Sequence, residues 1–285
     1  MSGNNGHSTI SSILVATDGS AHAESAVEYG AWLAAHTLAD LTVIYVIDAR
    51  QFVGHFINHY PEVIGNDNSQ GILKSIREYY KARGRQILER AALICEHYDV
   101  GCRRELKSGN VLNILAEEAA EADLLMMGQH GAHEAGGLIF PESVTEKIVR
   151  KSKHPVLVTQ PPFREFHQVL LAYDGSRAAR RAMHTLVQLS TALDIEIDAV
   201  QLVEGDEPTT ALIEVPRYFK EVPVRVNAHY LVSDRISAIL DHAEDEKCDL
   251  LAMGAYADMT AERLGLGSTT EYLMRNSTVP VLIHH

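Results

Sequence analysis

Apolar residues along this chain fall into two alternating rhythms. Short continuous runs of strand length predict parallel strands buried on both faces. Longer stretches with apolar positions three and four apart predict helices packed against them. The first round is a strand over 13–16, then a helix with Ala23, Ala26, Val27, Gly30, Ala31 and Ala34 at helical spacing, then a strand over 41–47. The small residues of that helix predict close packing on a sheet. Residues 49–69, with Gly54, Pro61 and Gly65, read as a surface excursion. A long charged helix follows from 72 to about 97. After it come a strand over 100–106, a turn over 107–110, a helix over 111–121 and a strand over 124–127. A loop, a helix to about 152 and a strand over 154–159 complete the round.

Gln160-Pro161-Pro162-Phe163 breaks regular structure, and the rhythm then restarts. Strands are predicted over 169–172, 195–203, 224–231, 250–253 and 279–283, with helices over 177–192 and 236–245. A repeat of this length predicts two domains, 1–162 and 163–285. The second is shorter: Asp18 and Gly128 are 110 positions apart, Asp174 and Gly254 only 80. The missing part falls between the second and third strands, where Pro208, Pro216 and Pro223 leave room for at most one short helix. The fold class that follows is α/β, as two tandem five-stranded parallel sheets with right-handed crossovers. Ligands of such sheets sit beyond the carboxyl ends of the strands, where strand order reverses.

Two stretches that face those ends repeat each other. Residues 122–148 and 248–273 each run from an apolar strand through Gly128 or Gly254 into a loop and then a helix start. Ser143-Val144-Thr145-Glu146 and Ser268-Thr269-Thr270-Glu271 have the spacing of a capping box. A helix N-terminus reached through a glycine-bearing loop suits an anion; an ordinary capped helix is the other reading. The Asp-Gly-Ser triplets at 18–20 and 174–176 sit at the same ends. Each aspartate is either a ligand contact or a turn-former that bonds its own backbone.

Composition narrows the partners. A net charge of -13 argues against nucleic acid and anionic membranes. No apolar run approaches the ~20 residues of a membrane span, and the amino terminus lacks a secretory pattern. Three cysteines without CxxC spacing suit a reducing cytoplasm and argue against a cysteine-based zinc site. Among 15 histidines, His55 and His59 lie in a segment unsuited to a helical metal pair. His130 and His133, in the first loop with Glu134, are a minor candidate for a metal or phosphate contact, His284-His285 read as a solvated tail, and Asp40 and Asp48 read as solvated. No spacing predicts nucleophilic catalysis.

The ordered motifs resemble the universal stress protein family over nearly the whole chain. They are the first-strand Asp-Gly-Ser, the Asp-Leu-Leu strand ending in Met-Gly, the Ser-x-x-Glu helix start and the final Pro-Val-Leu strand, each present twice. The resemblance implies a tandem member of a stress-response or signalling family. It implies ATP, ADP or AMP as cofactor, with Mg, held in the nucleotide-binding subclass by a Gly-x-x-Gly, nine residues, Gly-Ser/Thr loop. Homodimers and an unknown protein partner are expected, and at most slow ATP hydrolysis.

Both halves depart from that loop. The first has Gly128 and Gly131 but Glu142-Ser143 where Gly-Ser belongs. The second keeps Gly254 and Gly267-Ser268, with Ala257 in place of the second glycine and Arg263 as a phosphate cation. The second half is therefore the favoured nucleotide site, through Ala172, Asp174, Leu202, Met253, Gly254, Ala257, Arg263, Gly267, Ser268 and Thr269. The alternative set in the first half is Ala16, Asp18, Val46, Met127, Gly128, Gly131, Ser143, Val144 and Thr145. The competing reading is a dimerisation scaffold with degenerate phosphate loops. The resemblance also implies that the final strands, 156–159 and 279–283, pair antiparallel across an internal pseudo-two-fold axis.

Overall fold

The computed structural model describes residues 9–48, 69–131, 143–203, 210–255 and 268–285. The first half runs β1 (Ser12–Ala16), α1 (Ala21–Thr37), β2 (Asp40–Ile47), α2 (Ser69–His97), β3 (Cys102–Ser108), α3 (Val111–Ala119), β4 (Leu124–Gly128), α4 (Val144–Lys151) and β5 (Val156–Thr159). The second half runs β6 (Gln168–Ala172), α5 (Arg177–Ser190) and β7 (Glu196–Val203). A 3-10 turn (Ala211–Ile213) then leads into α6 (Glu214–Tyr218), followed by β8 (Arg225–Val232), α7 (Ser237–Asp245), β9 (Leu250–Gly254), α8 (Ser268–Asn276) and β10 (Val281–His284).

The ten strands of the described residues form one sheet, in the order β3-β2-β1-β4-β5-β10-β9-β6-β7-β8. The order is the same read from either edge once the halves are exchanged. Pairing within each half is parallel. The halves meet where β5 and β10 pair antiparallel, with Val158 opposite Val281 and Val156 opposite Ile283. These two strands would otherwise be exposed apolar edges, and joining them removes both. The edges that remain, β3 and β8, carry charged side chains. Their bounds fall one or two residues later than the apolar pattern predicts, because an edge strand is set by its ladder. Seven residue pairs from Leu41–Cys102 to Ile47–Ser108 carry β3 on β2.

One face of the sheet is covered by α1, α2, α5 and the 3-10/α6 segment. The other is covered by α3, α4, α7 and α8. Helix α1 lies close because a side chain at Gly30 would meet Val15 Cγ2 at 2.6 Å. The amino ends of the inner strands are tied in the same way in each half. Asp123 Oδ2 accepts from the backbone N–H of Ser11 and Ser12 at 2.9 and 3.0 Å. Asp249 Oδ2 accepts from those of His167 and Gln168 at 2.8 and 3.1 Å. The segment after Pro161-Pro162 is packed rather than loose. Phe166 stacks on Tyr29 with ring centroids 5.2 Å apart, Phe163 meets Tyr29 edge-on at 4.7 Å, and Arg164 N–H donates to Tyr29 Oη at 3.0 Å. Burial pushes the Tyr29 phenol up to about 12.

Two expectations fail here. His284 is not a solvated tail. It is the last residue of β10, opposite Gly254, and its Nδ1 lies 3.1 Å from Thr185 Oγ1. Asp48 is buried, because it follows directly on a strand covered on both faces. His55, His59, His133 and Glu134 lie outside the described residues.

Candidate functional site

In each half the strand order reverses between the first and fourth strands, β1 beside β4 and β6 beside β9. The Asp-Gly-Ser triplets leave β1 and β6 at that point. Their geometry is nearly identical. Asp18 Oδ1 accepts from Ser20 N–H at 2.9 Å, and Asp174 Oδ1 from Ser176 N–H at 2.9 Å. Gly19 and Gly175 take φ of +78° and +77°, which a side chain would oppose. Ser20 and Ser176 then cap α1 and α5, accepting from Ala23 N–H at 3.2 Å and Ala179 N–H at 3.0 Å. The turn-forming role of both aspartates is therefore real, and it uses one carboxylate oxygen of each.

In the first half the second oxygen faces the glycine loop: a side chain at Gly131 would lie 3.0 Å from Asp18 Oδ2. Ser20 Oγ also donates to His130 O at 3.3 Å. Ala16, Val46, Met127 and Gly128 gather at the same strand ends, with Ala16 and Val46 half-buried against the core. The start of α4 is occupied by the chain's own bonds. Ser143 Oγ accepts from Glu146 N–H at 3.1 Å, while Ser143 N–H donates to Glu146 Oε2 at 2.9 Å. Thr145 Oγ1 donates to Gly128 O at 2.9 Å. The expected capping box is thus closed, and the Val144 and Thr145 N–H groups are the donors it leaves at this helix start. Glu146 further binds Arg275 Nε of α8 at 2.5 Å, and Arg275 Nη1 binds Glu271 at 2.9 Å. That network crosses between the halves.

In the second half Asp174 is exposed, and among the described residues its Oδ2 takes no hydrogen bond. Ala172 and Leu202 are half-buried against the core, and Met253 is buried beside them. Ser268 and Thr269 open α8. Ala257, Arg263 and Gly267 lie outside the described residues. Gly254 has a different reason from the one its position suggested. It ends β9 rather than forming a turn, and a side chain there would lie 2.3 Å from Ala179 N and 2.6 Å from Ala178 C. Helix α5 takes that space. Gly128 relates to α1 in the same way, 2.7 Å from Ala23 N.

The walls differ between halves. In the first, α2 stands over the Asp-Gly-Ser turn and encloses a cavity of about 270 Å³ lined by Thr17, Gly19, Glu24, Arg83, Ile87 and Arg90. In the second, the 3-10/α6 segment covers the turn instead. A side chain at Gly175 would meet Ala211 Cβ at 2.9 Å, and Glu214 bonds both Tyr173 Oη and Arg180 Nε, the latter at 3.0 Å. The short helix expected among the prolines therefore lies over this turn.

One group of residues has no sequence signature at all. Asp198 on β7, His229 on β8 and His242 on α7 converge, with one potential ligand atom from each within 4.8 Å of the others. Their separations of 31 and 13 positions match no metal-binding spacing.

Comparison with known proteins agrees with this architecture. A sequence model of the universal stress protein family matches residues 9–160 and 212–285. Universal stress protein Slr1230 of Synechocystis sp. is 27% identical over 281 residues, covering 95% of this chain and 98% of that protein. Universal stress protein MJ0531 of Methanocaldococcus jannaschii is 28% identical over 163 residues, 56% of this chain and 88% of that protein. The crystal structure of a universal stress protein from Archaeoglobus fulgidus DSM 4304 superposes with a TM-score of 0.72 at 21% identity, covering 96% of this chain and 95% of that chain.

Proposed function

The chain belongs to the universal stress protein family, and within it we propose a cytoplasmic stress-response or signalling protein that binds one adenine nucleotide in its second half. Residues 1–162 and 163–285 are its two domains. The observation that carries the reading is the duplicated Asp-Gly-Ser turn beside a Met-Gly strand end at the reversal of strand order. Two independent copies of one turn geometry, at the place where such sheets bind ligands, argue for an inherited binding frame.

The second half is preferred for two reasons. Its Asp174 carboxylate is exposed, with one oxygen uncommitted among the described residues, as a hydrogen bond to adenine or ribose requires. Its loop brings Gly267 and the cation Arg263, where the first half brings Glu142. Leu202 and Ala172 form the apolar floor for the base, with Met253-Gly254 beside the ribose. Gly267, Ser268 and Thr269 offer backbone N–H and hydroxyl groups to the phosphates, with Mg accompanying a triphosphate. The first half serves the scaffold reading better, since its Ser143 N–H and Thr145 hydroxyl are bonded internally. The β5–β10 junction uses within one chain the pairing expected between chains, so a homodimer would need another surface.

Calorimetric titration with ATP and Mg tests this. One site per chain is expected, weakened at least tenfold by Asp174→Ala and unchanged by Asp18→Ala. Two equal sites would reject the ranking of the halves. Absence of heat, with no nucleotide released on denaturing the purified protein, would reject nucleotide binding.

A further inference from the structure

We propose that Asp198, His229 and His242 form a binding site for a divalent transition-metal ion of the zinc class, separate from the nucleotide site. Asp198 sits near the amino end of β7, four residues before Leu202, so ~13 Å of strand separates it from the proposed base pocket. Its side chain is only 6% exposed. Its Oδ2 lies 2.7 Å from His242 Nε2. Its Oδ1 has no hydrogen-bond partner, although His229 Nδ1 stands 3.3 Å away. A buried carboxylate oxygen left without a donor is costly in a protein interior, and a cation seated between the three groups would remove that cost.

The donor set suits such an ion. Two imidazoles and one carboxylate are borderline ligands that bind zinc-class metals at ~2.0–2.2 Å, and a tetrahedral ion then spaces its ligands at ~3.3–3.5 Å. The three potential ligand atoms here lie within 4.8 Å of one another before any ion draws them together. Three protein ligands leave one position for water or a further ligand. Access is present, because His229 is 42% exposed on the edge strand β8 while His242 is 15% exposed.

The fold itself does not demand these residues. By register, Leu170 faces Asp198 and Val200 faces His229. In the first half Leu14 faces Thr42 and Ile44 faces Glu105. Thr42 and Glu105 thus hold the places of Asp198 and His229. Glu105 there joins a surface ion network with Lys107 and Glu118. The two halves share a backbone but not this constellation, so packing alone does not explain it.

The test is equilibrium dialysis of the full chain against micromolar Zn²⁺ with metal analysis, together with Co²⁺ absorption to read the coordination. One Zn²⁺ per chain is expected, with Co²⁺ giving the intense bands of a four-coordinate site and Zn²⁺ raising the melting temperature. His242→Gln and Asp198→Asn should each weaken Zn²⁺ at least a hundredfold. His229→Gln is the safer variant because its site is half exposed. It should weaken Zn²⁺ at least tenfold and leave the metal-free melting temperature nearly unchanged. Zn²⁺ retained by the Asp198→Asn/His229→Gln/His242→Gln triple variant would overturn the assignment, placing the ion on other histidines. Failure of the parent to take up Zn²⁺ would also overturn it, leaving a buried Asp–His pair. Nucleotide titration of the His229→Gln chain keeps the two proposals apart, since it should bind ATP like the parent.

Discussion

Replacing Gly254 by alanine tests why a glycine ends β9. The added methyl would sit 2.3 Å from Ala179 N, 2.6 Å from Ala178 C and 2.9 Å from Ala178 Cβ. The first two are backbone atoms at the start of α5, so no rotamer change relieves the contact. The helix must retreat by about 1 Å to reach an ordinary contact of 3.4 Å. Its start is held by the Ser176 cap and by Ala179, Ala182 and Met183, all buried against the sheet. Overpacking of this kind costs ~1–3 kcal/mol and more where the backbone must move. We expect about 3 kcal/mol, read as a fall of ~5 °C in melting temperature. Thermal melts followed by far-UV circular dichroism measure it. Gly128→Ala should lose less, because its nearest backbone contact is 2.7 Å. Gly71→Ala is the control, with nothing within 4 Å of the new methyl, and should change stability by less than ~1 kcal/mol. If Gly254→Ala melts like the parent and only nucleotide affinity falls, the glycine is kept for the ligand and the packing argument is wrong.

Three further outcomes are expected. Arg275→Met removes the cation from the buried Glu146 carboxylate, whose side chain is 5% exposed. With Ser143 N–H still bound to it, the loss should be ~1–3 kcal/mol in urea unfolding, and smaller in combination with Glu146→Gln; strict additivity would refute coupling between the halves. The Cys102 thiol is held down to about 7, first by a hydrogen bond from Cys95, which that same bond and then its own burial keep protonated. Iodoacetamide labelling of Cys102 should therefore rise with pH through about 7 and shift upward in Cys95→Ala, while Cys95 itself stays inert; equal labelling of both would contradict this. At the nucleotide site proposed above, Gly267→Glu would bring a carboxylate ~4–5 Å from the phosphate, a repulsion of ~3–4 kcal/mol at an effective dielectric near 20. Affinity for ATP should drop more than a hundredfold, and Glu142→Gly should bring the first half towards binding; unchanged affinity in Gly267→Glu would exclude that loop as the site.

The apolar rhythm alone determined the strand and helix order and the repeat. These are local consequences of burial on both faces of a parallel strand, so they can be read from neighbours in sequence. The capping box at Ser143 and the Asp-Gly-Ser turns are likewise local, needing only residues two or three apart. The bounds of β3 and β8 were less legible, because edge strands take their limits from a partner rather than from their own composition. Tertiary structure decided what depends on distant contacts. It shows that Gly254 and Gly128 are required by helices lying across them, and that Ser143 N–H and Oγ are already engaged with Glu146. It also buries Asp48 and makes His284 part of the central junction. Asp198, His229 and His242 come from two strands and a helix and meet only once the sheet has formed and α7 has packed on it. No spacing along the chain encodes that meeting, because its distances are set by the ladder between β7 and β8 and the seat of a helix above them.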